Sequence, residues 1–128
     1  MINKICNWVA SYPGFAGREF TVDALAGGAS AAAIYPKGEQ VIARHSDILG
    51  GCAIRRKLTF HILLRSREDA QIPALIADFA RWAERGAPVL GEQQTVTAEQ
   101  GKLRRNTGTG ITTYEIRVEM EFTTRHNN

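Results

Sequence analysis

The chain reads as a single α+β domain over residues 1–128, a mostly antiparallel β-sheet with two main helices packed on one face. Three observations predict this. The segment Thr113–Thr123 alternates without a fault: Tyr114, Ile116, Val118, Met120 and Phe122 point one way, and Thr113, Glu115, Arg117, Glu119, Glu121 and Thr123 the other. That is the pattern of a strand with one side against a core. Ile72, Leu75, Ile76, Phe79, Trp82 and Ala83 recur at helical spacing, giving a helix with a matching apolar stripe. Finally, the coarse order is helix, four strands, helix, two strands, which places helices on one face of an antiparallel sheet.

Taken in order, Ile2, Ile5, Cys6 and Val9 fall on one helical stripe, so residues 2–11 form a short amphipathic helix. Tyr12-Pro-Gly-Phe15 ends it, because proline cannot continue the hydrogen-bond ladder. Phe20, Val22 and Ala24 alternate with Glu19, Thr21 and Asp23, a first strand that stops at Gly27-Gly28. Ala31–Tyr35 is the second, closed by Pro36-Lys37-Gly38, and Gln40–His45 the third, followed by a turn at Ser46–Gly51. The fourth is long, Arg56–Ser66, with Leu58, Phe60, Ile62 and Leu64 on one face. Lys57, Thr59, His61 and Arg65 stand opposite, with Leu63 interrupting them. In the second helix, Pro73 fits the first turn, and Gly86 followed by Pro88 marks the stop. Thr95–Glu99 and the alternating segment are the last two strands, joined through a loop-like stretch, Gln100–Gly110.

The charge of +3 is too small to argue for nucleic acid by itself, and no apolar run approaches the ~18–20 residues of a membrane span. The opening MINKICNWVAS has one Lys and no long apolar core before a small-residue cleavage site, so a signal peptide is not expected. Cys6 and Cys52 belong to no CxxC pair and read as free thiols of a cytosolic protein.

Chemistry-bearing patterns are sparse. His45, His61 and His126 have no second ligand at metal-binding spacing, so no metal and no cofactor is expected. Gly27-Gly-Ala-Ser30, Gly50-Gly51 and Gly108-Thr-Gly110 read as turns, since none continues into a phosphate-binding helix motif. Glu115, Glu119 and Glu121 are closely spaced carboxylates, but with Arg117 they form the polar side of a strand. The chain is not expected to be an enzyme. Two basic clusters remain, Arg55-Arg-Lys57 and Lys102-Leu-Arg-Arg105. They support one alternative function, a small basic nucleic-acid-binding module, although no aromatic platform accompanies them.

In sequence order, INKICNWVASYPGF, FTVDAL, IYPKGEQVIARHSDILGG, RRKLTFHILLRSRED, DFARWAERG, APVLGEQQTVTAE and TTYEIRVEMEF resemble the small minor capsid or tail-terminator proteins of long-tailed bacteriophages. The similarity runs from about residue 2 to 123. Its most telling parts are the strand ending Ser66-Arg-Glu68, the helix carrying Asp78, Phe79 and Trp82, and Pro88-Val-Leu90. The Ala-rich stretch 24–33 departs from the family pattern. The resemblance implies a structural role without catalysis: a homo-oligomer, generally a six-membered ring, capping the tail tube and meeting head–tail connector proteins. It places the protein in the neck of the virion, and in the host cytoplasm during assembly, with DNA passing transiently through the ring. The candidate assembly residues under this reading are Lys102, Arg104, Arg105, Glu115, Arg117 and Glu119. The first three read as an arm that orders on the tail tube or, as the alternative, as a loop facing the channel through which DNA passes, and the last three as a charged face that sets register and partner choice.

Overall fold

The computed structural model describes residues 2–15, 20–22, 31–46, 48, 50–67, 72–106 and 111–126. In chain order they form α1 (Ile2–Ala10), a 3-10 turn (Pro13–Phe15), β1 (Phe20–Val22), β2 (Ala31–Ser46), β3 (Cys52–Arg67), α2 (Ile72–Gly86), β4 (Glu92–Asn106) and β5 (Ile111–His126). The strands make one sheet in the order β1-β2-β3-β5-β4. β1 runs parallel to β2, and the other pairings are antiparallel. The expected class, a mostly antiparallel sheet with two helices, is the one observed.

Register explains the core. Phe60 lies opposite Val118, Ile62 opposite Ile116, and Leu64 opposite Tyr114, so the apolar sides of β3 and β5 meet in one patch. These six side chains are all buried. α2 sets Ile72, Ile76, Phe79 and Ala83 on that patch, and α1 adds Ile5, Trp8 and Val9. Each large side chain so buried contributes about 1.5–3 kcal/mol relative to exposure. An aromatic cluster forms where the helices meet. Tyr12 stands edge-on to Phe15 at 4.9 Å and to Phe79 at 5.4 Å, and Phe15 stacks on Phe79 at 5.1 Å.

Three strands, β2, β3 and β4, are longer than the residue pattern suggests. The stretch read as separate strands at Ala31–Tyr35 and Gln40–His45 is the single strand β2. Pro36 lies opposite Phe60 and Gly38 opposite Thr59, leaving Lys37 as an extra residue in a bulge. Gly38 takes a φ of 122°, which a side chain would strain. Proline is tolerated because β1 pairs only with Ala32–Ile34, so Pro36 lies where β2 has no described strand on its outer side. β3 begins at Cys52 rather than Arg56. β4 likewise runs through the expected loop to Asn106, with a bulge between Gln100 and Leu103. The expected strand residues Asp23 and Ala24 lie outside the described residues.

Candidate assembly face

Both helices pack on one side of the sheet, and the odd-numbered residues of β3 and β5 form the other. There the two strands carry opposite charges, Arg55 and Lys57 on β3 against Glu115, Glu119 and Glu121 on β5, with the His61 imidazole beside Glu115. Arg55 Nη2 is 3.9 Å from Glu121 Oε2, Lys57 Nζ 3.4 Å from Glu119 Oε2, and His61 Nδ1 3.3 Å from Glu115 Oε1. None of these residues is directly opposite its partner. Arg55 faces Thr123, Lys57 faces Glu121 and His61 faces Arg117, so each reaches the carboxylate two residues earlier on β5. The common offset is a run of diagonal cross-strand pairs, within reach of long side chains on a twisted sheet. Arg117 pairs instead with β4, its Nη1 lying 3.5 Å from Glu99 Oε1 directly across the ladder.

Arg55 ties three strands together. Its Nη1 donates to the carbonyl oxygen of Gln93 on β4 at 2.8 Å and to Thr123 Oγ1 on β5 at 3.1 Å. Gln93 has a φ of 51°, so the Arg55 bond holds a backbone conformation unusual for a side-chain-bearing residue. The next residue, Gln94, braces the resemblance segment Pro88-Val-Leu90. The Leu90 N–H donates to Gln94 Oε1, and Gln94 Nε2 donates to the Pro88 carbonyl, both at 2.8 Å.

His61 is the titratable group that this environment perturbs. Burial lowers its pKa, the nearby Glu115 opposes that shift, and Lys37 and Arg117 reinforce it. Glu115 in turn lies flat against Gly101, where a Cβ would come within 2.7 Å of its Oε1. A glycine on β4 therefore makes room for the carboxylate that meets His61.

The sequence-named residues separate into two groups. Glu115, Arg117 and Glu119 share the charged side of β5; Arg117 and Glu119 each have an ion-pair partner on a neighbouring strand, and Glu115 meets the His61 imidazole. Lys102, Arg104 and Arg105 are on outer strand β4 and do not form a loop or arm. Arg104 is opposite Thr113 and Arg105 opposite Thr112, with Lys102 inside the bulge that precedes Leu103. The other basic cluster, Arg55–Lys57, is compensated residue by residue, since Arg56 Nη1 meets Glu39 Oε1 at 3.3 Å. Arg55 was missed as an organising residue. Its signal was the run of basic side chains at 55, 57 and 61, which faces the acidic run at 115, 119 and 121 only once the register is known.

The remaining candidates are simpler. Cys6 and Cys52 are free, and burial raises the Cys6 thiol pKa. Gly50 has a φ of 86°, as a turn glycine does. Gly27–Ser30 and Gly108–Gly110 lie outside the described residues. Among the described residues no group of three or more His, Cys, Asp or Glu side chains is placed to hold a metal ion, and no helix is long and apolar enough to cross a membrane. No protein-family model matches the chain, and no curated protein matches it either.

Proposed function

We propose that the chain is a virion assembly protein of long-tailed bacteriophages, a tail terminator or head–tail joining subunit that acts by protein contact without catalysis. The observation that carries this reading is the charged side of the sheet. Arg55, Lys57 and Arg117 are matched there with Glu121, Glu119 and Glu99, and Glu115 lies beside the His61 imidazole. A surface of alternating charge favours register and partner choice between proteins. Attraction of phosphate needs uncompensated positive charge, and the Arg55–Lys57 cluster does not supply it.

The segments that carry the family resemblance fit this reading as packing elements. Phe79 and Trp82 join the aromatic cluster while Asp78 pairs with Arg81 on the outside of α2. Ser66 and Arg67 end β3, and Glu68 lies outside the described residues. In the proposed assembly, copies form a six-membered ring on the tail tube, beneath the head–tail connector proteins, and DNA passes through without being held. Arg117 and Glu99 are exposed on the charged side, at 43% and 69% of their side-chain surface, and are available to a neighbouring subunit. Lys102, Arg104 and Arg105 on the outer strand provide a second contact.

Disrupting the gene in its phage and imaging the lysate tests the proposal. Filled heads beside detached tails of irregular or excessive length are expected, and intact particles with normal tails overturn the assembly role. In complementation, a folded Arg117→Glu variant is expected to lose capping. Unimpaired capping removes Arg117 from the contact.

A further inference from the structure

We propose that the outer edge of β2 from Lys37 to Ser46 is a docking edge for an extended acidic segment of a partner protein, which adds to the sheet as a further strand. The inference needs the geometry of β2 alone and stands apart from the virion reading. β1 pairs with Ala32, Ala33 and Ile34, and no described strand continues along β2 beyond that point. On its inner side β2 stays paired to β3 as far as Ser46. Among the described residues the outer side therefore presents a row of backbone donors and acceptors, which another strand satisfies.

Charge identifies the segment. The one carboxylate in this stretch, Glu39, is engaged by Arg56. Lys37 and Arg44 are exposed and have no carboxylate partner among the described residues. The uncompensated charge on the edge is thus positive at both ends. Between those ends Val41 and Ile42 are 38% and 41% exposed, and Ile48 beyond the strand is fully exposed. Acidic side chains interspersed with β-branched ones match this order.

Geometry argues against a second copy of the chain as the occupant. β2 is bent by bulges at Lys37 and Ile42, and β4, the other outer strand, has bulges of its own between Glu92 and Thr95 and between Gln100 and Leu103. Bulges on edge strands discourage pairing with another preformed edge. A flexible segment follows the bend as it binds.

The test is to pan a random twelve-residue peptide library against the full chain, then map the winning peptide by amide hydrogen exchange. Enriched sequences are expected to combine Asp or Glu with Val, Ile or Thr, and to protect amides between Lys37 and Ser46. Arg44→Glu is expected to weaken that peptide roughly fivefold to tenfold, with Arg44→Lys close to wild type. Failure to enrich, basic consensus sequences, or protection mapped elsewhere each overturns the proposal. So does protection of the same amides by a single-stranded oligonucleotide, or by self-association of the chain without peptide.

Discussion

Trp8 of α1 and Trp82 of α2 stack face to face, their ring centroids 5.4 Å apart and their planes 11° from parallel. The contact joins two helices far apart in sequence and closes the outer side of the aromatic cluster. Aromatic pairs of this kind are worth about 0.5–1.5 kcal/mol beyond their buried area. A double-mutant cycle with Trp8→Ala and Trp82→Ala, read by urea unfolding, should return a coupling energy in that range. A coupling indistinguishable from zero means the rings merely adjoin.

Phe79 is fully buried between Tyr12, Phe15 and the sheet. Phe79→Ala opens a cavity that its ring neighbours cannot fill, and should cost about 3–5 kcal/mol. Val89, 78% exposed, is the control, and Val89→Ala should change stability by less than about 0.5 kcal/mol. Equal denaturation midpoints for the two variants would contradict the placement of α2 on the sheet.

The pH dependence comes from His61. Burial holds its folded-state pKa below the ordinary value of about 6.5, so the unfolded chain binds the proton more tightly. The contribution of this group is therefore present above about pH 6.5 and is lost as pH falls through that value towards the folded pKa. Urea midpoints measured from pH 7.5 to 5.5 should fall more for wild type than for His61→Gln. Parallel curves would remove His61 as the source.

Two glycines should respond in opposite directions. A Cβ at Gly91 would stand 2.4 Å from the backbone oxygen of Thr123, so Gly91→Ala must displace β4 from β5 and should cost about 1–3 kcal/mol. At Gly86, the last residue of α2, a Cβ meets nothing within 4 Å. Gly86→Ala should be neutral or stabilise by up to about 1 kcal/mol. Thermal unfolding of the two single variants separates them.

The parts of the fold that depend on local periodicity were legible in the sequence. The alternation from Tyr114 to Phe122 identified buried and polar sides correctly, and the Phe79/Trp82 stripe belongs to the core. Breaks that rely on one residue type were less reliable. Pro36 does not stop β2, because a bulge and an open outer side remove the usual penalty for its missing N–H. Gly101 reads as a loop residue, yet it serves a packing purpose, leaving space for Glu115. The candidate site was half legible. Glu115, Arg117 and Glu119 could be placed on one side of one strand, but their partners come from β3 and β4 through a register no local pattern encodes. The basic run at 102–105 looked like an arm because Gly101 and Gly108 flank it, whereas pairing with β5 extends the strand to Asn106.

The strand order also sets a sequence of events during synthesis. β5, made after the other strands, occupies the place between β3 and β4. Until it leaves the ribosome, β4 has no neighbour in the sheet, and β3 keeps one whole side unpaired next to its apolar residues Phe60, Ile62 and Leu64. The nascent chain can close the hairpin of β2 and β3 early, but the core waits for the insertion of one late strand. A stalled or shortened translation product that lacks β5 would thus expose an apolar, edge-open sheet, the form of a polypeptide that chaperones and proteases recognise.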